Sequence, residues 1–270
     1  MNHSPFVSLE KIIKRAPLGL RFKDLARGDV NVVDSLDVRA RQRTPLPQEM
    51  IAQRSPVSGI YGFRSLPGLR DYEWGLQPAS NWCTNGDTPE DANFVITVRD
   101  NGGRFLPQVL LLCLPKEAVF EVELVSGPTR EPLAGYAVVR GEVWDRAANA
   151  PASWAVIIAS PGDYATVADV RGLFALYLPF PTLDTAPDFG DVPVTDLVWP
   201  LTFQVLYEPS VQSEVLADWP PHTASIAAQA AASVFDTTTT GGAGVVRSLQ
   251  YGQPLILATQ GQSRLLVNPA

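Results

Sequence analysis

The sequence predicts an all-β protein: two tandem antiparallel β-sandwiches with a short N-terminal helix or arm and a C-terminal tail of one helix plus a β-hairpin. Three observations carry this. Short apolar runs with period-two alternation recur every 8–12 residues or so between Gly, Pro and Asn turns, as in small antiparallel sandwiches. Of 270 residues 46 % are hydrophobic and only 18 % charged, with 24 Pro and 20 Gly, a turn-rich composition poor in helix formers. Finally, "SGIYGFRSLPG" (58–68) and "DVRGLFALYLP" (169–179) read alike, each with a Gly, spaced aromatic residues and a Leu-Pro close.

Residues 1–16 form the predicted arm. In "SLEKIIKRAP" Ser8 suits an N-cap, and Leu9, Ile12 and Ile13 share one face. Lys14 and Arg15 suit the negative end of the helix dipole before Pro17. A helix of about two turns is marginal alone and needs a surface to lie on.

Residues 17–126 form the first sandwich. "GLRFKD" opens it, and "SLDVRARQR" (35–43) alternates so that Arg39, Arg41 and Arg43 line one face of a strand. "GIYGFRSL" (59–66) is the next strand. "NFVITVRDNGGRFLPQVLLLCLP" (93–115) reads as a hairpin with Asn101-Gly102 in a two-residue turn.

Residues 127–210 repeat the plan. "AGYAVVRGEVWD", "SWAVIIAS", "YATVAD" and 172–178 are strands, and "LVWPLTFQVLYEP" (197–209) is the last. Pro200 predicts an edge position or a bulge there. Residues 211–270 form the tail: an Ala-rich helix over 223–235, a Thr/Gly connector, and two apolar strands containing Leu255 and Leu257. The tail has no core of its own, so it either completes the second sandwich or adds to a neighbouring subunit.

Between 139 and 179, "VRGEVWD", "AVIIAS" and "ATVADVRGLFALYLP" resemble the carboxypeptidase regulatory-like (transthyretin-like) sandwich through Gly141, Val143, Asp145, Pro151, Asp169, Gly172 and Phe174. The resemblance implies that fold and a spacer or docking role. "SGIYGFRSLPGL" is similar to the collagen-adhesin B-type sandwich. Across 17–115, "PLGLRFKD", "SPVSGIYGFRSLPGLRDYEWG" and "FVITVRDNGGRFLPQVLLLCLP" resemble a protein type encoded beside contractile injection systems, the phage-tail-like particles of bacteria. That resemblance implies a structural, baseplate-associated part of the particle and assigns no individual functional residue.

Chemistry is sparse. There are two histidines, His3 and His222, and no G-x-S-x-G, H-E-x-x-H or Walker motif. Cys83 and Cys113 are too few for a disulfide framework, and with no secretory signal they read as idle or buried thiols, a single bridge being the alternative. Asp184, Asp188 and Asp191 miss the EF-hand spacing and read as a solvated loop. Lys23 is placed near a first strand as an isopeptide lysine would be, but it lacks a paired Asn. No catalytic residue, cofactor or metal is therefore expected.

The net charge of −7 is uneven: 12 Lys/Arg against 8 Asp/Glu in residues 1–75, and 9 against 20 in residues 76–270. This acidity argues against nucleic acid and suits other subunits or copies of the chain itself. The Arg39, Arg41 and Arg43 stripe is either a solvated face or a contact for an acidic neighbour. Trp74, Trp82 and Trp219 fall in predicted loops, where they would bury at a protein interface. Stacking of those loop tryptophans on sugar rings, in a carbohydrate-binding adhesion module, is the alternative. No apolar run reaches the roughly 18 residues of a membrane span. Synthesis and assembly in the cytoplasm are expected, in a particle then released or membrane-anchored.

Overall fold

The computed structural model describes residues 14–28, 31–32, 36–43, 48–78, 90–180, 193 and 196–270. Strands account for 42 % of the described residues and helices for 7 %, so the fold is mostly β. The expected helix over 8–13 lies outside the described residues.

The N-terminal half supplies β1 (Gly19–Asp24), β2 (Asp37–Gln42), β3 (Glu49–Ile51), β4 (Gln53–Arg54), β5 (Tyr61–Gly62), α1 (Arg70–Glu73), β6 (Phe94–Arg99), β7 (Gln108–Leu112) and β8 (Phe120–Leu124). They form two sheets, ordered β4-β5-β1-β8 and β3-β2-β6-β7. Leu20, Phe22 and Val122 from one and Val38, Ile96 and Leu112 from the other enter a single buried core. Two sheets over one core is β-sandwich packing.

The C-terminal half supplies β9 (Tyr136–Asp145), β10 (Ala150–Pro151), β11 (Val156–Ser160), β12 (Tyr164–Val167), β13 (Leu173–Pro179), β14 (Val198–Leu206), α2 (Thr223–Ala227), β15 (Ser233–Phe235), β16 (Gly241–Gly242), β17 (Val245–Gln250), β18 (Leu255–Leu257) and β19 (Leu265–Asn268). One sheet is β12-β11-β14-β17; the other runs β10-β9-β19-β15-β16, with β13 and β18 also paired to β9. Val139, Phe174, Val234, Leu257 and Val267 meet Ile157, Phe203 and Val245 across the second core.

Several expectations change. The pairing is not purely antiparallel: β1 runs parallel to β8, and β18 and β19 run parallel to β9. The two look-alike stretches differ, because 169–179 contains the seven-residue β13 whereas 58–68 holds only the two-residue β5. A positive φ of 60° at Ser65 turns the chain there toward α1. β14 is an inner strand despite Pro200. β11 pairs with residues 202–206 and stops short, so only β17 lies beside Pro200, and a missing N–H is tolerated on that open side.

The segment 211–270 is part of the second body, not a separate tail. Its Ala-rich run is helical only over 223–227, because tertiary pairing overrides its propensity. The Tyr207 N–H donates to the Ala230 carbonyl and the Ala232 N–H to that of Val205, drawing 230–232 alongside the end of β14. The two apolar strands do not pair as a hairpin. β18 lies along residues 139–141 of β9 and β19 along 143–145, with a loop between them.

Candidate functional site

The two bodies meet at a buried clamp. Asp24 ends β1, and its carboxylate takes both arms of the Arg130 guanidinium at 2.9 and 2.5 Å; Arg130 also donates to Ser126 Oγ at 2.7 Å. Both side chains are almost fully buried. The guanidinium lies against the rings of Phe105, from the first body, and Tyr177, from the second, with 4.8 and 5.4 Å to the centroids. The connecting segment is held just as firmly. The Tyr177 hydroxyl and one arm of Arg140 both donate to the Arg130 carbonyl, and the other arm of Arg140 donates to that of Pro128. Burial pushes the Tyr177 phenol above its ordinary pKa, so it stays a neutral donor.

A second tie comes from residues 209–232. α2 packs on β7 of the first body, and the Arg99 guanidinium of β6 lies 4.7 Å from the Trp219 ring centroid. The Gln229 amide caps the arrangement: it donates to the Trp154 and Ile226 carbonyls and accepts from the Glu208 backbone and the Gln212 side chain. Between the bodies lies a cleft of about 490 Å³ lined by Leu110, Val122, Val156, Val167 and Ile226. Gln108 spans its edge, donating to the Glu123 carbonyl.

The residues singled out from sequence do not converge. Arg39, Arg41 and Arg43 do leave one face of β2, while Val38 and Ala40 are buried. Arg39, however, is engaged by Asp37 and Glu49, and Arg43 donates to the Ala92 carbonyl. Trp74 is 43 % exposed with the Lys14 ammonium 4.5 Å from its ring centroid, and Trp219 is half-buried beneath Arg99. Each ring thus has a cation against one face. Leu257 is fully buried, and Leu255 is half-buried against the same core. Trp82, Cys83, His3, Asp184, Asp188 and Asp191 lie outside the described residues.

Cys113 is not an idle thiol: it is disulfide-bonded, and Cys83 is the other cysteine of the chain. Lys23 forms an ion pair with Glu121 at 2.7 Å. Among the described residues no three His, Cys, Asp or Glu side chains group as a metal site, and no helix is long and apolar enough to cross a membrane.

The surface that sequence reasoning missed is the outer face of the β12-β11-β14-β17 sheet. Because Ile157, Ala159, Leu201, Phe203, Val205, Val245 and Leu249 point into the core, the alternate residues point out. Those on β11 and β12 are Val156, Ile158, Ser160, Ala165 and Val167, of which Val156 and Val167 line the cleft against the first body. β14 and β17 add Val198, Pro200, Thr202, Gln204, Leu206, Val246, Ser248 and Gln250. None carries a charge. Val198 is 47 % and Val246 59 % exposed. The signal was present in "SWAVIIAS" and "LVWPLTFQVL", where neither alternation contains a charged residue. Such strands are expected when both faces are covered.

Comparison with family models, curated proteins and solved structures returns no match.

Proposed function

We propose that the chain is a non-enzymatic structural subunit, built as two tandem β-sandwiches clamped into one unit and acting by protein–protein docking. The setting proposed is a contractile injection, phage-tail-like particle, at or near its baseplate, assembled in the cytoplasm. The resemblance over 17–115 supports that setting. A carboxypeptidase regulatory-like form for the second sandwich rests on the motif residues between 139 and 179.

One observation carries the docking reading: the uncharged outward residues of β14 and β17, where Val198 and Val246 are exposed. An exposed patch that carries apolar residues and no charge has the character of a protein contact. The occupant proposed is a sheet of a different subunit. Self-pairing is less favoured, because copies each bearing a net charge of −7 repel one another.

The double variant Val198→Asp/Val246→Asp tests this. Both positions are exposed, so the fold should be retained, with a stability change of about 0.5 kcal/mol per site or less. Incorporation into particles purified from the native host should fall strongly. Normal incorporation of the folded variant would overturn the proposal. Wild-type protein that forms a dimer by light scattering, dissolved by the same substitutions, would make the occupant a second copy instead.

A further inference from the structure

We infer that the cleft of about 490 Å³ between the two bodies is a binding site for a small neutral molecule: an apolar body carrying one N–H or O–H donor. The inference stands apart from the docking reading, which rests on Val198 and Val246, neither of them part of this cleft.

The first observation is how the first sandwich opens. β7 and β8 are end strands of its two sheets. At one end they touch: Phe105 bridges Ser126, and the Leu106 N–H donates to the Val125 carbonyl at 2.9 Å. Two residues further along, a side chain takes over from the backbone, and the Gln108 amide reaches across to the Glu123 carbonyl at 2.8 Å. Beyond that point the two strands share no ladder, and both line the cleft. The Gln108 amide therefore stands at the narrow end, where the strands part.

The second observation is the amide itself. Gln108 is only 6 % exposed. Its Nε2 is committed to Glu123, and its Oε1 is buried with no hydrogen-bond partner among the described residues. Turning the amide over would give up the Glu123 bond and set two oxygens against each other. A buried acceptor left unmatched costs free energy that a donor on a ligand recovers. An amide oxygen only accepts, so the group it selects is N–H or O–H and not an ether or a carboxylate.

The third observation is the rest of the lining. Leu110, Phe120, Val122, Val156, Val167 and Ile226 supply apolar wall from both bodies, and the volume falls in the range of small-molecule sites. The charged lining residues are Lys23, Glu121 and Glu123. Lys23 is held by Glu121 at 2.7 Å, and both glutamates are exposed. A charged ligand would give up its hydration in this cleft without meeting an opposite charge inside it.

Titration calorimetry of the full chain with indole, 1-methylindole and indole-3-acetate tests the assignment. Indole is expected to bind, with 1-methylindole, which lacks the donor, weaker by about fivefold or more, and indole-3-acetate weaker than indole. Gln108→Leu removes the acceptor and should bring indole and 1-methylindole to equal affinity. Val167→Phe, at a half-buried position on the wall, should fill the cleft and abolish indole binding while the protein stays folded. Should Gln108→Leu fail to fold, the three probes on the wild-type protein decide alone. Absence of indole binding, equal affinity for 1-methylindole, or tighter binding of indole-3-acetate would each overturn the inference. So would a preference for indole that survives in Gln108→Leu, or unchanged binding in folded Val167→Phe.

Discussion

At the scale of single residues, the turn "DNGG" shows how a correct motif can be assigned to the wrong atom. β6 and β7 are joined by residues 100–107, a longer loop than the two-residue turn that Asn101-Gly102 suggested. Within it the Gly103 N–H donates to the Asp100 carbonyl, and Gly103, not Gly102, has the positive φ of 67°. The Asp100 carboxylate organises the loop by accepting from the Gly102 and Arg104 N–H groups and from the Arg104 guanidinium. Burial pushes the Asp100 carboxyl up, but those donors outweigh it and hold its pKa below the carboxylate range. Gly103→Val should therefore cost about 1–3 kcal/mol of backbone strain. Gly102→Val should cost less, since its Cβ would meet only the Arg104 and Asp100 side chains, at 3.4 Å. Urea unfolding midpoints rank the two; the reverse order would refute the assignment. Gly141 is a different case. A Cβ there would come within 2.6 Å of the Leu257 carbonyl, so this glycine of "VRGEV" exists to let β18 lie against β9.

At the scale of elements, what was legible in the sequence was local periodicity. β1, β2, β6, β9, β11, β12 and β13 fall where alternating apolar residues put them, because period two and a buried face dictate a strand whatever surrounds it. What stayed hidden was partnership. Nothing local in "GQPLILAT" or "SRLLVN" says that both run parallel to β9, since parallel partners are joined by no short turn. The Ala-rich 223–235 read as helix because propensity ignores the pairing available to 230–235. The candidate site shows the same split: the outward arginines were legible, the engagement of Arg39 by Asp37 and Glu49 was not, and the neutral sheet face appears only once separate strands lie side by side. A truncation after Phe235 follows from the partnership. It removes Val245, Leu249, Leu257, Leu265 and Val267, all essentially buried. At about 1.5–3 kcal/mol each, their loss matches or exceeds the 5–15 kcal/mol or so by which a domain is stable. The truncated chain should be insoluble or lack a cooperative melting transition by circular dichroism. A folded, soluble product would mean that β17–β19 are not part of the second core.

At the scale of the whole molecule, the question is whether two cores make one cooperative unit. Two sandwiches joined by a bare linker would melt separately. Here Arg130 lies in the segment between them, is ion-paired to the first body and packs on Tyr177 of the second, while α2 packs on β7. The wild-type protein should accordingly show one calorimetric transition whose van't Hoff and calorimetric enthalpies agree. Asp24→Ala leaves the Arg130 guanidinium buried without its partner, at a cost of about 3–5 kcal/mol, and it also removes the side-chain cap that accepts from the Ala26 N–H. The transition should then split, or the calorimetric enthalpy should exceed the van't Hoff value. The double variant Asp24→Leu/Arg130→Met removes both charges and should recover much of that loss, since a buried ion pair replaced by apolar groups is often near neutral. Two transitions already present in the wild type would show the bodies to be independent. A single transition in Asp24→Ala at an unchanged midpoint would show that the clamp contributes nothing to joining them.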